Sequence, residues 1–469
     1  MRARSVACRR SYSVASNGSQ ESAIGVAMVQ HAPPPVKPRV VYPHATCLAG
    51  ERKAMSDSKE QLGKWIDEDR DKIIAFLCGF VRAKSPNPPG DTTLAAAHVT
   101  QFLSANGLPF RVIAPDASMP NIVGSFDTGR PGPHLVLNGH MDVFPADATA
   151  EGWTQDPWGG AIAHGRIYGR GVADMKAGTS ASIFTYYYLY RIRERLKGKL
   201  TLTAVSDEET FGPWGARYLM EHHPEVQGDC CLNGEPSSPL TIRFGEKGPF
   251  WVKFTLRTKG AHGAYTHLSP SATKQAARLI LDLEELTTLQ PAVPIEVADA
   301  LAGAAAAIDE AQGPGAKDVV QRVTLNIGVI HGGVKVNIVP GTCWFEADIR
   351  IPPGLGKEEI VRKIREIVAR YPEATFEEIN YSAPNVCDPN HEMMGILRAN
   401  ARALGRPDPA PIVSLGGTDA RLWRQRGIPA FVHGPFPRGM AQADEHVEIE
   451  EFLHVVRMHV LSAFDYLAR

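Results

Sequence analysis

The sequence predicts a two-part α/β protein: a mostly parallel sheet with helices, interrupted by an inserted ferredoxin-like βαββαβ unit. Three observations carry this expectation. The chain has 469 residues, more than one hydrophobic core usually serves. Short apolar strand patterns alternate with helical ones up to about Lys247. From there a two-residue alternation takes over, as in strands with one buried face, and helix–strand alternation resumes near residue 384.

The elements follow in order. EQLGKWIDEDRDKIIAFLCGFVRAKS has apolar residues at helical spacing, and LAAAHVTQFLSANG is a second helix stopped by Gly107. PHLVLNGHMD contains a short strand, Leu135 to Leu137. A Trp- and Gly-rich loop leads to a long helix, about Ala177 to Leu196. KLTLTAVSDEE, WGARYLMEHH and DCCLNGEPS read as strand, helix and strand. In the inserted part, FWVKFTLRTKG, RVTLNIGVI, GTCWFEADIRI and ATFEEINYS are strands, and SATKQAARLILDLEEL and EEIVRKIREIVARY are helices. The Ala-rich stretch LAGAAAAIDEAQGPGAKD reads as a surface insertion. HEMMGILRANARALG, AFVHG and EEFLHVVRMHVLSAFDYLA return to α/β material. The resulting boundaries are an extension at 1–60, a first part at 61–246, the inserted unit at 247–383 and a second part at 384–469.

Composition limits the partners. A net charge of −1 argues against nucleic acid or an anionic membrane. No apolar run is long enough for a membrane-spanning helix. The seven cysteines are scattered without CxxC spacing, which fits a reducing compartment and excludes a zinc ribbon. MRARSVACRRSYSVAS has four arginines and no acid, as in a mitochondrial transit peptide; an over-extended start, with Met55 as the true one, reads equally well. The expectation is a cytoplasmic protein, with a mitochondrial alternative.

The chemistry sits where strands end. The first ends in Asn138-Gly-His140-Met-Asp142, the second in Ser206-Asp207-Glu208-Glu209, and the third in Asn233-Gly-Glu235. Functional groups in open α/β sheets gather beyond the carboxyl ends of the strands. The loop RGVADMKAG adds Asp174 just before a helix. Singly these are weak signals: an acidic pair usually marks a solvated strand end, and HxD is more often structural than ligating. Together, one imidazole and several carboxylates suit Zn²⁺, Mn²⁺ or Co²⁺. So many carboxylates exceed the needs of one ion and suit a pair of cations sharing a bridging carboxylate.

NGHMDVFP, GRGVADMKAG, SDEET and NGEPS together resemble the M20 metallopeptidases and their relatives, over roughly residues 65–469. The resemblance implies a catalytic domain carrying a lid that also dimerises, so a homodimer is expected. It implies Zn²⁺ at two positions per subunit, with Co²⁺ or Mn²⁺ as alternatives. His140 and Glu235 then resemble ligands of one ion, Asp174 the bridge and Glu209 a ligand of the second. Asp142 resembles the acid that orients His140, and Glu208 the general base. His262, in KGAHGAYTH, resembles the lid histidine that stabilises the oxyanion. Asn337 and Arg350 match lid positions that contact substrate, and Gly417, Thr418 and Arg421 match the substrate-binding loop.

The implied activity is hydrolysis of an amide in an N-acyl amino acid or short peptide. Carboxypeptidase or dipeptidase action is the near alternative. The pattern departs at the last ligand of the second ion, where register puts Ala441 or Arg438 instead of histidine. His446 is the replacement expected here. A weak or empty second site, His433 in its stead, or an impaired homologue that only binds an amino-acid derivative are the alternatives.

Overall fold

The computed structural model describes residues 49–149 and 151–469. The transit-peptide and Met55-start readings concern residues 1–48 chiefly, and that stretch lies outside the described residues. The first helix, Ala49–Glu68, is already docked ahead of the boundary drawn at 61. Lys59 Nζ donates to Asn400 Oδ1 and to Asp465 Oδ2, each at 2.7 Å. Leu62 and Ile66 are buried. The sequence gives little sign of the helix's start because its first turns carry few apolar residues.

The main sheet has nine strands. Its spatial order begins Phe110–Ile113, Asn121–Asp127, Lys199–Val205, His134–His140, Cys230–Asn233, Ala430–Val432, Thr241–Glu246 and Asn385–Val386, with Ala410–Ser414 beside Thr241–Glu246. The four strands from Lys199–Val205 to Ala430–Val432 are mutually parallel. His134–His140 lies between Lys199–Val205 and Cys230–Asn233, with His140 opposite Val205 and Asn138 opposite Asn233. That register brings three carboxyl ends to one edge. The sheet is covered on both faces, which explains the unbroken apolar runs of its central strands. Helices Ala177–Arg191 and Ile449–Leu467 pack with Leu135 and Leu137 in one core, while Leu219, Met220 and Trp423 meet Val136, Val205 and Cys231 in another. Among the described residues no helix is long and apolar enough to cross a membrane.

The segment from Gly248 to Tyr381 builds a second, antiparallel sheet of four strands. Their order across the sheet is Thr324–Gly332, Thr342–Ile351, Gly248–Arg257 and Ala374–Tyr381. Helices Ala272–Leu283 and Lys357–Val368 bury Leu279, Ile360 and Ile364 against Phe254 and Phe345 of the strands. This unit thus has its own core, in chain order strand, helix, strand, strand, helix, strand.

The Ala-rich stretch corrects an expectation. It is not a surface insertion but three short helices, Ile295–Gly303, Ala305–Gln312 and Ala316–Val319. Val297, Leu301, Ala304 and Ile308 are buried in the core of the nine-stranded body. Small alanines let these helices lie close to the sheet edge, and the few large apolar residues supply the buried stripe. Composition alone hid that stripe.

Candidate metal centre

His140 ends its strand fully buried. Its Nδ1 lies 2.8 Å from the Asp142 carbonyl oxygen. A carbonyl only accepts, so Nδ1 carries the proton and Nε2 presents a lone pair. Among the described residues that Nε2 has no hydrogen-bond partner. It stands 3.3 Å from both Asp174 Oδ1 and Glu235 Oε1. A lone pair facing two carboxylates is stable only with a cation or proton between them. Burial disfavours a charged His140, yet the Glu235, Asp174 and Asp142 carboxylates raise its pKa well above the ordinary value.

Among the described residues two groups of potential ligand atoms each lie within 4.8 Å: His140 with Glu208 and Glu235, and His140 with Asp174 and Glu209. Burial, then the neighbouring Asp174, pushes Glu235 up to about 7. Burial also raises Glu208 and Glu209 well above the usual carboxylate range. Asp174 is lowered: burial opposes this, but the neighbouring His140 imidazole, which favours the carboxylate when protonated, outweighs it. Buried Glu209 Oε1 is also unpartnered. The orphaned imidazole nitrogen and this excess of acid fit divalent cations, which replace protons at such sites.

The supporting residues explain the geometry. Asp142 accepts from Asn87 Nδ2 at 2.9 Å and from the N–H groups of Glu208 at 3.3 Å and Glu209 at 3.1 Å. It therefore fixes both the turn after His140 and the neighbouring strand end. Glu235 N–H donates to Asn233 Oδ1 at 2.8 Å. Asp174 lies in an irregular turn after Gly171, whose φ of 77° suits glycine. Glu445 clamps that turn: Oε1 accepts from Ala173 N at 2.9 Å and Asp174 N at 3.2 Å, and Oε2 pairs with buried Arg170 at 3.0 Å. Lys176 Nζ donates to the carbonyls of Phe80 at 2.9 Å and Ala83 at 2.8 Å, capping helix Arg70–Arg82. Sequence reasoning missed Asn87, Arg170 and Lys176, and assigned no role to Glu445. The one available hint was charged residues inside otherwise Gly- and apolar-rich motifs.

The remaining expected residues fall in three places. Arg421 Nη1 donates to Glu208 Oε1 at 3.3 Å, and its guanidinium lies 4.5 Å from the Phe211 ring. Thr418 Oγ1 faces Glu246 Oε1 at 3.5 Å, and a Cβ on Gly417 would lie 3.4 Å from Phe211. Arg350 grips Asp348 of its own strand, from 2.9 Å. His262 and Asn337 are exposed residues of the second unit. Ala264 N–H donates to His262 Nδ1 at 3.2 Å, and Gly263 N–H to Asn337 O at 2.7 Å.

His446 joins neither ligand group among the described residues. Its Nδ1–H donates to Asp444 O at 2.8 Å, and its ring lies against Tyr168, centroids 5.2 Å apart. The preceding residue, Glu445, is the one whose side chain meets the Asp174 turn, while His446 begins the strand opposite Tyr168. Arg438 pairs with Glu451 at 2.8 Å. His433 is buried, with Nδ1–H donating to Thr241 O at 3.0 Å, and is also outside both groups.

Comparison with known proteins finds relatives in sequence and in fold. The chain is 28% identical over 410 residues to succinyl-diaminopimelate desuccinylase of Cereibacter sphaeroides, covering 84% of this chain and 99% of that one. The enzyme of the same name from Stenotrophomonas maltophilia is 28% identical over 337 residues, covering 69% of this chain and 81% of that one. Its fold resembles an M20 family metallo-carboxypeptidase from Sulfolobus solfataricus, with a TM-score of 0.69 at 17% identity, covering 84% and 99% of the two chains. A di-peptidase from Saccharomyces cerevisiae gives a TM-score of 0.68 at 15% identity, covering 87% and 98%. Residues 136–464 match the model of peptidase family M20/M25/M40. The chain belongs to that family, and it is a hydrolase acting on amide bonds.

Proposed function

We propose that this protein removes the acyl group of an N-acyl amino acid, with Glu208 as general base. The observation that supports it most is Glu208 beside His140 and Glu235, held from the other side by Arg421. His140 and Glu235 would hold one Zn²⁺, Asp174 would bridge, and Glu209 would serve the second ion. Such ions polarise water and the amide carbonyl. Glu208 takes a proton from the attacking water and hands it to the leaving amine nitrogen. Its buried setting and raised affinity for protons suit both halves of that transfer. Asp142 holds His140 and the Glu208–Glu209 backbone in place.

In this reading 61–246 and 384–469 form the catalytic domain and 247–383 a ferredoxin-like lid. His262, Asn337 and Arg350 reach substrate from the lid, His262 as oxyanion donor, and Gly417, Thr418 and Arg421 bind it from the body. Among the described residues the lid's edge strand, Thr324–Gly332, pairs on one side only. Ile330 is exposed on it, and Val334 and Val336 follow it fully in solvent. We assign this edge to a second copy of the chain, giving a homodimer. The named relatives make succinylated amino acids the first acyl class to try, and the di-peptidase neighbour adds dipeptides.

The second metal position is the weaker one in this reading. It has Asp174 and Glu209, with His446 turned against Tyr168. The deciding experiment measures zinc per chain and hydrolysis of a panel of N-acetyl and N-succinyl amino acids and dipeptides. Turnover with one tight and one weak ion is expected. A chain that binds no metal and cleaves none of the panel overturns the reading.

A further inference from the structure

The three short helices at 295–319 are a bridge between the two units. They leave the four-stranded unit and return to it, and the flanking Leu286 and Val323 lie in that unit's core. Between them, Val297, Leu301, Ile308 and Val320 lie in the core of the nine-stranded body. The helices dock on Thr241–Glu246 and Ala410–Ser414. Lys247, at the first crossing between the units, ties them down: Nζ donates to Val319 O at 3.1 Å and Thr324 Oγ1 at 3.0 Å.

Gln312 ends the second of these helices. Among the described residues strand Ala410–Ser414 pairs with one neighbour, Thr241–Glu246. Ser414 O faces that side and accepts from Lys247 N at 2.9 Å. Backbone groups alternate sides along a strand, so Val413 O and Leu415 N face away. Gln312 meets both: its Nε2–H donates to Val413 O at 3.1 Å, and its Oε1 accepts from Leu415 N at 2.8 Å. The side-chain amide stands in for a missing strand. Leu415 opens the loop through Gly416, Gly417 and Thr418 to Arg421, whose guanidinium holds Glu208.

We propose that Gln312 is a positioning residue for hydrolysis: it fixes the start of the 415–421 loop, and through Arg421 the orientation of Glu208. The role rests on the reading of Glu208 as the base. Glutamine suits it because donor and acceptor sit side by side on one planar group.

The test uses the full chain with Gln312→Ala and Gln312→Met; the methionine keeps length and removes both hydrogen bonds. Losing two neutral hydrogen bonds corresponds to a roughly ten- to hundredfold effect. In both variants kcat falls about tenfold or more with KM within about twofold, while zinc content is retained. Amide exchange over 415–421 quickens, Leu415 N–H most, while the melting temperature stays near that of the parent. A merely structural role would lower activity only in step with folded fraction. Unchanged exchange over 415–421, or unchanged kcat, overturns the proposal. The exchange measurement needs no turnover, so a parent inactive on every substrate would sink the hydrolase reading while exchange still decides whether Gln312 pins the loop.

Discussion

At the scale of single residues, charge balance around His140 decides what the site can hold. Its free Nε2 lone pair faces two carboxylates, and the same carboxylates crowd Glu208 and Glu209. Glu208 and Asp142 do different work there. Replacing Glu208 by Gln keeps the shape and removes the proton acceptor. Turnover should fall by about 10²–10⁴-fold, with zinc per chain unchanged by elemental analysis. Replacing Asp142 by Ala should act on the metal itself, weakening affinity by about 10–100-fold in a chelator competition, because the His140 turn and both glutamate backbones lose their anchor. Equal effects of the two variants on metal affinity would contradict this division of roles.

At the scale of elements, close backbone packing sets the site's precision. Helix Ala177–Arg191 starts against the Glu235 strand end, where a Cβ on Gly178 would fall 1.8 Å from Gly234 O. Gly178→Ala forces those backbones apart, so a stability loss of about 1–3 kcal/mol by denaturant unfolding is expected. The last helix, Ile449–Leu467, carries a different signature. His459 Nε2–H donates to His433 O at 2.6 Å, and burial pushes His459 down to about 4. The unfolded chain would protonate it near 6.5, so the folded form gains relative stability above that pH and loses it as pH falls from 6.5 to 4. His459→Gln retains a donor without titrating. Between pH 6.5 and 4 its stability should fall less steeply than the parent's, by up to about 1.4 kcal/mol per pH unit. Parallel slopes for the two proteins would show that His459 does not titrate as described.

At the scale of the molecule, the nine-stranded body and the four-stranded unit are tied together by a hydrophobic bridge as well as by the chain's crossings. This arrangement lets the exposed edge Thr324–Gly332 be altered without touching the metal centre. Ile330→Lys places a charge on that edge, where natural edge strands use lysine against pairing. Sedimentation should show monomer where the parent is dimer, with the melting temperature and zinc content retained. A parent that sediments as monomer would remove the proposed interface.

The sequence by itself determined which titratable side chains gather at the candidate centre. His140, Glu208, Glu209 and Glu235 were legible because each follows an apolar strand directly, and parallel strands must end on one side. Asp174 was legible from its Gly-rich turn. Tertiary structure decided what depends on residues distant in the chain. That Glu445 clamps the Asp174 turn while His446 sits opposite Tyr168 follows from contacts with residues far away in the chain. Asn87, Arg170 and Lys176 act through backbone groups and carboxylates that no local spacing connects to them. The Ala-rich stretch shows the same limit. Local composition reports how polar a segment is, but only packing chooses which core receives its few apolar side chains, and here that choice places Gln312 against the loop leading to Glu208.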